Sequence, residues 1–172
     1  MTEVPVLTTE RLTLRAPRLA DFEPYAAFFA SPRSVHEGGP MSRFDSWREF
    51  ATGIGGWTLR GYGVWSIEDR TSRTYLGETG IFHPDYYPEP ELGWTLAAEA
   101  EGKGIAREAA LAARGWAYGV AGIATLVSYI APANARSIRL AERLGARPDA
   151  DAAQPDNDPC LVYRHPAPEV SR

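Results

Sequence analysis

Two glycines mark the most chemically suggestive stretch of the chain, Glu99-Ala100-Glu101-Gly102-Lys103-Gly104-Ile105-Ala106-Arg107-Glu108-Ala109. It joins a segment of strand character to one of helical periodicity. Glycine at such a joint lets successive backbone N–H groups turn toward one point, and the helix start adds a partial positive charge. The combination suits an anionic group such as a pyrophosphate. Lys103 adds a full charge at the rim.

Three phosphate-binding patterns compete. A P-loop needs Gly, four residues, then Gly-Lys-Ser/Thr, and no such run exists. A dinucleotide fingerprint needs a third glycine where Arg107 stands and an acidic residue about 20 positions on; that region reads Leu126-Val127-Ser128. The remaining pattern is an acyl-CoA site whose loop grips the pyrophosphate of CoA. On the glycines alone, a plain strand-to-helix turn in which they only relieve crowding stays equally open.

The elements around the loop follow from periodicity. Arg11-Leu12-Thr13-Leu14-Arg15 alternates polar and apolar and reads as a strand ended by Pro17. Phe22, Tyr25, Ala26 and Phe29 recur at helical spacing. A weaker helical stretch runs from Asp45 to Leu59, and Gly53, Gly55 and Gly56 predict that it is irregular. Gly63 to Glu68 and Tyr75 to Phe82, split by a polar run, predict a hairpin, with a third strand at Glu91 to Leu96. A helix from Gly104 to Tyr118 is expected to bury Ile105, Ala109, Ala112, Ala113, Trp116 and Val120. Thr125 to Ile130 is a strand, Asn134 to Leu144 a short helix ending at Gly145, and Leu161 to Arg164 a last strand. The order predicts an α+β or mixed α/β layer in one domain spanning 7–166, with short tails at 1–6 and 167–172.

Bulk properties exclude several classes. The 172 residues, 44% hydrophobic and 23% charged, suit one globular domain without staples. A net charge of −4 argues against nucleic acid as the main partner. No apolar run approaches the ~20 residues that span a bilayer, so no membrane partner is expected. Met1 to Leu7 lacks the pattern of a signal peptide, and the cytoplasm is the expected location. The single cysteine, Cys160, forms no internal disulfide; it reads as a small strand residue rather than a nucleophile.

The run from Glu91 to Leu96, followed by Glu101-Gly102-Lys103-Gly104-Ile105-Ala106, resembles the GNAT acetyltransferases. Their signature is Gln or Arg, two residues, Gly, one residue, then Gly or Ala. It falls here on Glu101, Gly104 and Ala106, with Glu101 departing from the family at the first position. Leu7-Thr8-Thr9-Glu10-Arg11-Leu12-Thr13-Leu14-Arg15, and Asn134-Ala135-Arg136-Ser137 running into Leu144-Gly145-Ala146, resemble the RimJ/RimL-like branch. The resemblance implies a central, mostly antiparallel sheet of six or seven strands with about four helices, splayed between the fourth and fifth strands.

It also implies transfer of an acetyl group from acetyl-CoA, as co-substrate, to a primary amine by direct attack, with no metal. Main-chain groups of Gly102, Lys103, Gly104, Ile105, Ala106 and Arg107 would hold the pyrophosphate, and Thr95 and Leu96 the pantetheine arm, with Asn134 bonding that arm. An alkyl ammonium of pKa about 10 must lose a proton before attack, which asks for a base. Glu91 stands where many family members carry a carboxylate; a surface carboxylate at a strand end is the competing reading. Glu78 on the neighbouring strand is the alternate, and His83, before Pro84, has a suitable ordinary pKa but is equally a turn residue. Ser137 is the candidate proton donor to the departing thiolate, or else a helix-start residue bonding local backbone. Tyr129 is expected to pack.

The acceptor is either a small-molecule amine or a protein N-terminal amine. Asp149, Asp151, Asp156 and Asp158 form an acidic loop that would attract a cationic acceptor, or merely a solvated loop. Phe82, Tyr86, Tyr87 and Trp57 are wall or core. A non-catalytic acyl-CoA sensor is the competing function, and the protein is expected to be a monomer or homodimer.

Overall fold

The computed structural model describes residues 3–155 and 159–166. Twelve elements follow in order: β1 (Leu7–Thr8), β2 (Leu12–Arg15), α1 (Phe22–Phe29), α2 (Arg43–Arg60), β3 (Val64–Asp69), β4 (Tyr75–Phe82), β5 (Glu91–Leu96), α3 (Ile105–Gly119), β6 (Val127–Ile130), α4 (Ala135–Arg143), β7 (Arg147–Pro148) and β8 (Leu161–Arg164). They build one eight-stranded sheet in the order β1-β2-β3-β4-β5-β6-β8-β7. β1 and β7 are two-residue additions to the expected six or seven strands. Every neighbouring pair is antiparallel except β5–β6, which is parallel and has one register pair, Glu91 opposite Val127. Beyond it the two strands diverge. With β1 set aside, β5 and β6 are the fourth and fifth strands, where the splay was expected.

The two faces of the sheet differ in chemistry because strand residues alternate. One face presents Leu12, Leu14, Trp65, Ile67, Ile81 and Leu92, all at most 2% exposed, and packs against α3. α3 approaches closely because its buried residues are mostly alanine: Ala106, Ala109, Ala110, Ala113 and Ala117, with Ile105. This corrects the expected stripe. Ala112 and Trp116 are only partly buried and Val120 is 72% exposed, since small side chains, not the bulkiest, face the sheet. Trp57 is core, edge-on to Trp65 and near Trp116.

α2 corrects a second expectation. It is an unbroken 18-residue helix despite its glycines. Ser42 Oγ accepts from the Asp45 N–H at the N-terminus, and Gly61 closes the C-terminus in the left-handed region at φ 77°. A Cβ at Gly56 would sit 3.0 Å from the Tyr62 carbonyl oxygen. Close packing at Gly53, against Val64, and at Gly56 offsets the ~1 kcal/mol each costs in helix propensity.

Among the described residues no helix is long and apolar enough to cross a membrane, and no group of three or more His, Cys, Asp or Glu could hold a metal ion. Cys160 is buried just before β8.

Candidate active site

The glycine loop lies where β5 hands over to α3. Gly102 and Gly104 both adopt left-handed backbone, at φ 72° and 77°. Gly104 is the N-cap of α3 and no side chain caps the helix there, so first-turn N–H groups are available to an anion. The loop is clamped from outside. Arg11 Nη1 donates to the Lys103 carbonyl at 2.9 Å, and Arg11 also pairs with Glu108 in the first turn of α3. Thr9 Oγ1 donates to Glu108 as well, at 2.6 Å. The Thr9–Arg11 portion of the N-terminal motif therefore shapes the loop from about a hundred residues away.

Glu101, the departure from the family signature, is neutralised. Its carboxylate is paired with Arg33 and with Arg136 Nη1 at 2.6 Å. Both arginines line a groove of about 450 Å³ together with Thr95, Leu96, Gly102, Ala106, Asn134 and Ser137. Arg33 also donates to the Leu96 carbonyl at 3.0 Å, covering the edge of β5. Lys103 and Arg107 are exposed and Gly104 faces outward, while Ile105 is buried in the core beneath the loop. Of the predicted cofactor residues, Lys103, Gly104, Ile105 and Arg107 thus stand outside the groove's lining.

A second cavity, of about 200 Å³, opens on the sheet face opposite α3, beneath α1 and α2. Its floor is the glycine pair Gly80 and Gly93, directly opposite each other on β4 and β5. Glu91 and Glu78 flank that floor on the same face, since Glu91 pairs with Phe82 and Glu78 with Thr95. Glu37 and Glu49 complete a set of four carboxylates along the walls, with Phe29, Tyr87 and other rings. Among the described residues, no Lys, Arg or His lines it.

Burial pushes the Glu91 carboxyl up to about 8; the Tyr129 N–H, which donates to Glu91 Oε1 at 3.2 Å, holds it back and the nearby Glu37 charge raises it further. Burial likewise raises Glu37 to about 7, against the hydrogen bond from Asn134 and the charge of Arg136. Glu78 is raised to about 8 by burial and then by the charge of Asp21. Its Oε1 is sealed from solvent without a hydrogen-bond partner.

A small third cavity lies inside the splay and touches Glu91, Ser128, Tyr129, Asn134 and Ser137. Glu37 and Trp94 line all three cavities and form their junction. Glu37 was missed by sequence reasoning; it sits before Gly38-Gly39-Pro40 with no motif around it. Asn134 caps α4: its Oδ1 accepts from the Ser137 N–H at 3.2 Å and its Nδ2 donates one bond to Glu37 at 3.0 Å. Ser137 Oγ accepts from Trp94 Nε1 at 3.3 Å, which leaves its own proton free to point into the splay.

His83 is not brought into the site. It meets Tyr62 at 2.8 Å in a separate cavity beyond Phe82. Of the aromatic set, Phe82 and Tyr87 line the carboxylate cavity, Tyr86 is 63% exposed and Trp57 is in the core. The Tyr129 ring packs on Tyr87. Asp149 is tied to Arg164 at 2.6 Å and Asp151 is exposed; neither lines the cavity. Asp156 and Asp158 lie outside the described residues.

The acetyltransferase (GNAT) domain family matches residues 11–147. A crystal structure of an acetyltransferase from Agrobacterium tumefaciens str. C58 is similar at a TM-score of 0.91 and 42% identity, covering 95% of each chain. A spermidine N-acetyltransferase from Vibrio cholerae, solved with CoA and spermine, has a TM-score of 0.70 at 18% identity over 91% of this chain and 94% of that one, a likeness of fold. The uncharacterized protein YkkB of Bacillus subtilis (strain 168) is 33% identical over 108 residues, 60% of this chain; the match spans 62% of YkkB's length.

Proposed function

The chain belongs to the GNAT acetyltransferase family, and from that premise we propose that it moves an acetyl group from acetyl-CoA to a primary amine, with Glu91 as general base. The observation that carries this reading is the meeting of the loop-lined groove and the carboxylate cavity at Glu37 and Trp94, beside Glu91.

The residues fit an elongated anionic thioester. Uncapped N–H groups at the start of α3 and the guanidinium groups of Arg33 and Arg136 suit its diphosphate. The edge of β5 that turns away from β4, which beyond Leu92 has no strand partner among the described residues, suits its amide-bearing arm at Thr95, with Arg33 on the Leu96 carbonyl beside it. Bound there, acetyl-CoA supplies an activated acyl carbon and a thiolate leaving group.

Glu91, pushed up to about 8, is a base matched to near-neutral pH. It takes a proton from the ammonium, and the freed amine nitrogen forms the new N–C bond as the C–S bond breaks. Ser137 gives its proton to the departing sulfur and is reprotonated, through solvent, by the proton that the nitrogen sheds on becoming an amide. Asn134 positions Ser137 through the cap of α4 and holds Glu37 at the junction.

Thermal denaturation with acetyl-CoA tests binding: a ligand at 100 times its dissociation constant adds ~2.7 kcal/mol to stability. Thiol release with a panel of primary amines tests transfer. No thermal shift at saturating acetyl-CoA would sink the reading, and a shift without thiol release from any amine would instead fit a sensor.

A further inference from the structure

The carboxylate cavity holds more carboxyl groups than amine deprotonation needs. One carboxylate suffices as base, yet Glu37, Glu49 and Glu78 accompany Glu91, and among the described residues no cation lines the cavity to balance them. Buried carboxylates elsewhere in the chain are paired: Asp21 takes two bonds from Arg15, and Glu68 is bridged by Arg15 and Arg73. Glu78 is the exception. Its Oε1 is sealed from solvent with no partner, and the residue lines the cavity from the strand position opposite Thr95. A carboxylate kept unpaired at such a site costs stability unless a ligand supplies the partner.

The positions of the carboxylates measure what that ligand must reach. Glu78 is four residues along β4 from Phe82, which pairs with Glu91, so the two carboxylate positions lie about 13 Å apart along the strand direction. Between them the floor is the bare backbone of Gly80 and Gly93. A Cβ on Gly93 would meet nothing within 4 Å, so the space above it is open. Rings of Tyr25, Phe29 and Tyr87 line the walls. An apolar stem thus fits between two anionic ends.

On the reading that this cavity is where the amine is acetylated, we infer that the acceptor is a small alkylamine bearing a second ammonium group, and that Glu78 is the carboxylate that selects it. A peptide N-terminus would bring backbone amides that need partners, and the cavity offers mainly rings and carboxylates. The reacting nitrogen approaches Glu91 while the distal ammonium pairs with Glu78, with Glu49 on α2 adding charge nearby. Glu78 acts on the distal group and takes no part in bond making.

Thiol release by the full chain with saturating acetyl-CoA, compared across butylamine, 1,4-diaminobutane and a neutral peptide with a free N-terminus, decides the matter. The diamine should exceed butylamine in kcat/KM by about 10- to 100-fold, the size of one hydrogen bond to a charged group. Glu78→Gln should abolish that preference, mainly by raising the KM for the diamine until the diamine is turned over no better than butylamine. Its Tm should equal that of the unmodified chain near neutral pH and exceed it above about pH 8, because an unpaired buried carboxyl is replaced by an amide that cannot ionise; a structural role would lower it throughout.

Should Glu78→Gln fail to fold, the comparison in the unmodified chain still decides, and Glu49→Gln should narrow the preference by a smaller factor. Equal turnover of butylamine and diamine, preference for the peptide, or no turnover of any amine despite an acetyl-CoA thermal shift would each overturn the inference while leaving acetyl-CoA binding intact. Loss of both amines alike in Glu78→Gln would overturn the role given to that residue. Absence of the thermal shift itself would sink the acetyl-CoA reading beneath it.

Discussion

The groove proposed for the cofactor and the cavity proposed for the acceptor share Glu37, Trp94 and Thr95 but are built from different material. The groove is made of main chain: left-handed glycines, an uncapped helix start and a strand edge, with arginines held in place by Glu101. The cavity is made of side chains: four carboxylates and several rings around a glycine floor. Main-chain sites tolerate changes in side chain and fail when backbone geometry is altered. Side-chain sites do the reverse, and three of the cavity's four carboxylates are raised by burial where those of the groove's rim are neutralised by pairing.

That contrast can be broken most sharply at Glu91. Glu91→Gln should lower kcat by about 100-fold or more, the range of a lost general base, with acetyl-CoA affinity unchanged. Because a base must be deprotonated and burial raises Glu91 to about 8, wild-type activity should climb with pH up to about 8 and then level, and the variant should lose that climb. Pre-steady-state thiol release against pH, alongside calorimetric cofactor binding, checks both. A parallel fall in cofactor affinity would erase the division between the two halves.

Gly104→Val is the complementary change. A β-branched residue at φ 77° costs roughly 1–2 kcal/mol, so acetyl-CoA should bind about 10-fold more weakly while the amine KM stays put. Isothermal titration reads the first and saturation kinetics the second.

Arg33→Ala should weaken acetyl-CoA binding by about 3- to 10-fold at low salt, since a partly exposed charge contributes modestly, and the deficit should shrink as salt is added. Adding Glu101→Gln to Arg33→Ala should recover part of the loss by removing the carboxylate left with one partner fewer. No recovery in that double variant would show that Arg33 acts on its own rather than through the pair.

The smallest expected effect is on stability. Glu37, Glu78 and Glu91 keep protons in the fold at pH values where the unfolded chain has lost them. Between about pH 6.5 and 8 the folded state therefore binds more protons, and stability falls as pH rises. His165, buried and lowered to about 4, has the opposite effect but only below about 6.5, outside this window. The Tm of the protein without ligands should decline by a few degrees from pH 6.5 to 8; a flat Tm would mean the cavity carboxylates are already charged.

What the sequence revealed follows the same division. The loop, the strands at Glu91 to Leu96 and Tyr75 to Phe82, and Ser137 beside the splay were legible because glycine spacing and period-two alternation report backbone directly. Glu91 was reachable through its place at the start of a strand. Glu37 and Glu49 were not, because nothing local marks a carboxylate whose role comes from meeting others across three elements. Of the acidic loop, Asp149 is taken up by Arg164 and does not reach the cavity. α2 was misread because three glycines lower helix propensity locally, while the contacts that Gly56 permits with Tyr62 and Gly53 with Val64 exist only in the folded chain.

The lone parallel register pair between β5 and β6 has a mechanical consequence. With so few backbone bonds crossing the seam, the β6–α4–β8 lobe should breathe independently of the β2–β5 ribbon, and its amides should exchange with deuterium sooner. A substrate lodged in the gap would act as mortar, so protection gained on adding acetyl-CoA should concentrate on both flanks of the seam and slow the opening of the lobe as one unit.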